Sequence, residues 1–149
     1  MSEPSAPARS ETGRRTFDLA VVTPEGSAFE GEVEMVVVPG DAGEIGVLAR
    51  HAPLVATLKA GSTRIHTGEE VREYATGPGF FKVELDRAIA LVDDAVLANE
   101  IDDARAHDQL ETAQRELELV ERGESNADRW QLEQRIKHAE NQLSVSGRD

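Results

Sequence analysis

Six consecutive residues, Ile101-Asp102-Asp103-Ala104-Arg105-Ala106, set a guanidinium three positions after a carboxylate. At a helix start, free backbone N–H groups beside one fixed positive charge form an arrangement that receives phosphate. The same residues also suit a purely structural end, with Asp102 capping the helix, Arg105 exposed and Ala106 opening an apolar stripe. Other chemistry finds no footing. The four histidines, 51, 66, 107 and 138, are too widely spaced for a paired-His metal motif. G-x-x-x-x-G-K-S/T, H-E-x-x-H and G-x-S-x-G are all missing, and a chain without Cys has neither a thiol nucleophile nor a cysteine zinc site. Adjacent acids such as Asp93-Asp94 and Asp102-Asp103 are expected where 29 of 149 residues are acidic, and they read as solvated surface. The expectation is a protein with no catalytic residues, no metal and no chemistry of its own.

A second segment, "GEIGVLARHAPLV" from Gly43 to Val55, points to recognition. Its glycines permit bends, Ile45, Val47 and Leu48 are expected to bury, and Pro53 limits edge pairing. Glu44 and His51 are left to point outward. A histidine there either bonds nearby backbone or belongs to a loop that docks on a partner, since loops on a rigid scaffold commonly carry recognition.

Two kinds of element must position these residues. From Phe17 to about Val92 short apolar runs recur with turns between them: "TFDLAVVT", "EVEMVVVPG", "TRIHT", "EVREYAT", "GFFKVEL" and "AIALVD". That spacing predicts an antiparallel β-sandwich, with Phe81, Val83 and Leu85 on one face of their strand and the two-residue "DR" as a hairpin turn. After Ala98 the period changes. Ala106, Leu110, Ala113, Leu117 and Val120 form one helical stripe, with Asn99 or Asp102 as its cap. Gly123 stops that helix, Ser125 or Asn126 caps the next, and Leu132, Ile136, Ala139 and Leu143 form the second stripe. The helices must fold back as an antiparallel hairpin. Two helices have no interior to spare, so the pair is expected to depend on docking and to open readily. The domains read as a disordered extension over 1–16, a sandwich over 17–98 and a hairpin over 99–149.

Composition narrows the partners. The net charge is −13, of which −8 falls on residues 17–98. Both folded parts would repel phosphate backbones, so no nucleic acid is expected. No window approaches 18 consecutive apolar residues, so no direct membrane insertion is expected either. The opening "MSEPSAPARSETGRR" lacks the apolar core of a secretory signal.

With both parts in view the chain resembles the epsilon subunit of bacterial F-type ATP synthases, from about Phe17 to Val145. The resemblance is carried by "VVTPEG", "VEMVVVPGDAGEIGVLARHAPLVATLKAG", "GPGFFKVELDRAIALVDDA", "IDDARA" and "NQLSV" in that order. It implies a place in the central rotor stalk, bound to the gamma subunit and the ring of c subunits, at the cytoplasmic face of the plasma membrane. It also implies that Glu44, Ile45, Val47, Leu48 and His51 form a docking loop, and that an extended hairpin reaches the alpha/beta catalytic head and hinders ATP hydrolysis. Residues 126–145 hold three basic and three acidic side chains, so an electrostatic grip on the head is expected to be weak. Relatives that bind ATP use a motif matching Ile101, Asp102, Arg105 and Ala106, with two arginines further on. Here His138 and Gln142 stand in their places and Val96 replaces a preceding acid. No cofactor is therefore expected, and ATP at most as a weak regulatory ligand. Two other accounts remain open: an ATP-sensing regulatory domain, and an unrelated sandwich-plus-hairpin adaptor.

Overall fold

Phe17, Leu19 and Val21 alternate with Asp18, Ala20 and Val22, and this period of two builds the first strand of the computed structural model, which describes residues 13–146. The chain divides between Val96 and Leu97 into two compact units. The strands are β1 Phe17–Thr23, β2 Gly26–Val33, β3 Met35–Gly40, β4 Gly43–Leu48, β5 Leu54–Leu58, β6 Gly61–Thr67, β7 Glu70–Thr76, β8 Gly79–Glu84, β9 Arg87–Val92 and β10 Ala95–Leu97. They run in the order β10-β7-β6-β3-β5-β8-β9-β1-β2, with β4 attached to β3 alone. The sheet closes over itself as a β-sandwich around Leu19, Val21, Val36, Val38, Ile65, Phe81 and Val83, all buried. The expected extension over 1–16 lies mostly outside the described residues; Thr16, at its end, is buried.

Several details differ from the sequence reading. The sheet is not wholly antiparallel, because β1 and β9 pair in parallel. Seven intervening strands separate them, which is ample chain for a parallel return. "EVEMVVVPG" is two strands rather than one. Val33, Glu34 and Val36 are all buried, so alternation fails at Glu34, where the chain bends and the Glu34 N–H donates to the His66 carbonyl at 2.8 Å. The β8–β9 turn is Leu85-Asp86 rather than "DR", since Glu84 pairs with Arg87. Leu85 is therefore not in the core; it sits at the turn tip, 81% exposed, with φ of 51°.

The second unit opens with a 3₁₀ turn, Ala98–Glu100, followed by α1, Asp103–Glu121, and α2, Arg129–Ser146. Asp102 rather than Asn99 caps α1, its Oδ1 accepting the Arg105 N–H at 3.0 Å. For α2 the cap is Asp128, not Ser125 or Asn126. Its carboxylate accepts from Trp130 N at 2.9 Å and Gln131 N at 3.3 Å, the second and third helical amides. Ser125 instead holds the loop, accepting from Ala127 N. Ser146 bonds Asp103 at one end and Arg129 pairs with Glu121 at the other, so the helices are antiparallel. Their seam buries Ala106, Ala113, Leu132, Ala139 and Val145. Leu110, Leu117, Val120, Ile136 and Leu143 are only half-buried, as a two-helix seam requires.

Gly123 ends α1 with φ of 74°, its N–H donating to the Val120 carbonyl while Glu124 N donates to Leu119 O. These paired bonds are the Schellman arrangement, which needs a left-handed residue at Gly123. Gly123→Ala is expected to destabilise the hairpin by about 1 kcal/mol, read as faster amide exchange in α1 with β-sheet exchange unchanged.

Candidate docking surface

Alternation along β4 decides which side chains of the suspected docking segment face out. Ile45 and Val47 turn inward, Ile45 half-buried and Val47 1% exposed. Glu44, Gly46 and Leu48 share the other face, so Leu48, expected to bury, is 56% exposed. The segment is also not a loop. Residues 43–48 pair fully with β3, and only residues 49–53 are irregular. Sequence alone misreads it because its two glycines weaken the strand pattern while the partner strand supplies the pairing.

Glu44 does not stand free. Arg64 Nη2 on β6 meets its Oε2 at 2.8 Å, because β3 brings β4 and β6 to either side of itself. Half-buried His51 places Nδ1 2.7 Å from the Ala52 carbonyl and donates its backbone N–H to Leu48 O. The backbone-bonding reading of His51 therefore describes its geometry. Arg50, with φ of 65°, donates its N–H to Asp86 Oδ1 at 2.9 Å, tying this turn to the β8–β9 turn.

A larger surface was hidden from the sequence. The ladders align Thr57, Phe80, Leu91 and Val22 in one row across β5, β8, β9 and β1, with Val55, Lys82, Ile89 and Ala20 in the next. All face away from the sandwich interior. Val55 is 70% exposed, Phe80 58% and Leu91 48%. Contiguous exposed apolar side chains on a rigid sheet mark an interaction surface. The doubled aromatic in "GFFKV" was the available signal: on a strand one of two adjacent Phe residues must point outward.

In the hairpin, Ile101 is half-buried, Asp102 and Arg105 are exposed and Ala106 is buried. The Asp102 carboxylate already occupies the N-terminal amide where a phosphate would bind. On α2, Gln142 Nε2 lies 3.0 Å from His138 Nε2. No three His, Cys, Asp or Glu side chains among the described residues cluster to hold a metal.

A ten-strand sheet on this connectivity, followed by a helical hairpin, defines a known class of protein. Residues 16–98 match the family model "ATP synthase, Delta/Epsilon chain, beta-sandwich domain". The epsilon chain of Halalkalibacterium halodurans is 38% identical over 133 residues, covering 89% of this chain and 98% of that one. That of Rubrobacter xylanophilus is 38% identical over 139 residues, covering 91% and 94%. The chain belongs to the ATP synthase epsilon chain family. Its fold matches a chain in a cryo-EM structure of Euglena gracilis mitochondrial ATP synthase with a TM-score of 0.72 at 20% identity, covering 97% of this chain and 90% of that one.

Proposed function

We propose that the protein is a central-stalk subunit of a proton-translocating F-type ATP synthase, coupling the c ring to gamma without chemistry of its own. The observation that carries the reading is similarity to ATP synthase epsilon chains over nearly the whole of both chains. One solved structure that its fold matches is a mitochondrial ATP synthase with its c-ring. Among the described residues no helix is long and apolar enough to cross a membrane. We place the chain as a peripheral subunit at the cytoplasmic face, with β4 and its turn toward the ring and the Phe80 face toward gamma.

The hairpin acts as a weak brake. Arg129 is held by Glu121 and Glu133, at 3.1 and 3.2 Å, and residues 126–145 balance three basic side chains with three acidic ones, so the helix brings no net positive charge to an acidic catalytic head. Nucleotide is at most a weak ligand, because Asp102 holds the amide and neither His138 nor Gln142 supplies a fixed cation.

Leu48→Asp tests the docking placement. The residue is exposed and off the core, so folding is preserved, whereas Val47→Asp would bury a charge and confound the result. Membranes with Leu48→Asp are expected to lose proton pumping driven by ATP. Normal pumping would remove the β4 placement. Truncation after Leu97, which keeps β10, tests the brake: synthesis is expected to persist and hydrolysis to rise only slightly. Calorimetric titration with millimolar ATP is expected to give little heat; a strong exotherm would favour the nucleotide-sensor account.

A further inference from the structure

Among the described residues two that are not glycine have positive φ, Arg50 at 65° and Leu85 at 51°. They lie on neighbouring turns braced by one residue. Asp86 Oδ1 accepts the Arg50 N–H and the Asp86 carbonyl accepts the Asp18 N–H, each at 2.9 Å. β8 and β9 are joined by Leu85 and Asp86 alone, with positive φ only at Leu85. That is the type II′ pattern, whose first position suits glycine because a Cβ there crowds the backbone. Leu85 is also 81% exposed, more than any other large apolar side chain among the described residues. Conformation and solvent both oppose leucine at this position, and folding of the isolated chain gains nothing from it. Strain of this kind persists where the surroundings over-determine it, and it gathers at binding and switch sites. Asp86 supplies the bracing; a partner supplies the gain.

β8 presents Phe80, Lys82 and Glu84 on the outer face and runs directly into Leu85. Five residues at about 3.3 Å each put Leu85 roughly 16 Å from Phe80. A standard interface covers about 800 Å² on each partner, a patch roughly 30 Å across, so one partner spans both. Lys82 and Glu84 between them pair at 3.3 Å and leave that strip without net charge. We propose that Leu85 is a second apolar anchor for gamma, held at the end of the sandwich by the Asp86 brace, where it meets an apolar side chain of that subunit. A lipid surface is the poorer fit, because residues 17–98 carry −8 and are repelled by anionic headgroups. The contact rests on the reading that the Phe80 face meets gamma, and it extends that face to the tip of the β8–β9 turn.

Leu85→Gly separates contact from folding, because glycine accepts the backbone that leucine resists. The melting temperature of the full chain is expected to rise by about 4 °C. Its recovery with gamma from purified synthase should nevertheless fall roughly tenfold. Leu85→Met keeps an apolar side chain and should be recovered as wild type. Should Leu85→Gly fail to fold, Leu85→Asn, which also tolerates positive φ, takes its place. A glycine variant that melts higher yet is recovered as wild type overturns the anchor. One that melts lower overturns the strain, and equal losses for glycine and methionine overturn the apolar contact. Normal recovery of Leu85→Gly beside loss of Phe80→Glu overturns the second anchor and leaves the gamma face in place; normal recovery of both removes both. Retained gamma with lost ATP-driven proton pumping assigns Leu85 to the c ring. Wild-type binding to anionic phospholipid vesicles that Leu85→Gly abolishes assigns it to lipid. Either result overturns the gamma assignment.

Discussion

Replacing Phe80 by Glu will leave the sandwich folded and strip it of its grip on the rest of the stalk. Phe80 sits mid-row between Thr57 and Leu91 on the outer face, where folding gains little from it and a partner gains much. Central aromatic anchors commonly contribute 2 kcal/mol or more to an interface, so affinity for gamma should fall by roughly 30-fold or more. The neighbouring residue should behave in the opposite way. Phe81 is fully buried, so Phe81→Ala should cost about 3–5 kcal/mol of stability and abolish binding only by unfolding the platform. Pull-down of gamma with parallel thermal melts separates the two. If Phe80→Glu binds as wild type, the apolar face is not the contact surface.

Gly79→Ala is expected to be the most damaging single-methyl addition in the sandwich. An added Cβ would lie 1.9 Å from the Leu91 carbonyl oxygen and 2.8 Å from Val92 Cα. Both obstacles are backbone of the adjacent strand β9, so relief requires opening the β8–β9 ladder. The cost is about 3 kcal/mol, a fall of roughly 10–20 °C in melting temperature for a domain of this size. Gly31→Ala is the control: its new methyl would meet nothing nearer than the Phe29 ring at 3.5 Å, and its effect should be within about 0.5 kcal/mol of zero. If the two variants melt alike, Gly79 is not held by its packing against β9.

Phe80 and Phe81 mark the limit of what local pattern determines. Local alternation settles that one Phe of the pair at 80 and 81 points inward. Nothing local says that the outward one lines up with Leu91 and Val22, because that row exists only once β8, β9 and β1 take their register. Leu48 fails for a related reason: a stretch broken by glycines reads as a loop until β3 pairs with it and fixes the alternation. Arg64 could not have been matched to Glu44 from spacing, since 20 residues and a whole intervening strand separate them. The second cap was misplaced because Ser125, Asn126 and Asp128 are all competent, and only the helix start at Arg129 selects among them.

By itself the sequence determined the change from a period of two to a period of 3.6 near residue 98, the start of the first helix within a few residues of it, and the Gly123 stop. Each of these depends on side-chain chemistry acting within a few residues along the chain. Only the tertiary structure decided that β1 and β9 run parallel, that Glu44 is paired, and that an apolar face lies on the sandwich. Those features depend on which distant strands become neighbours, and that is set by burial of the whole core rather than by any one segment.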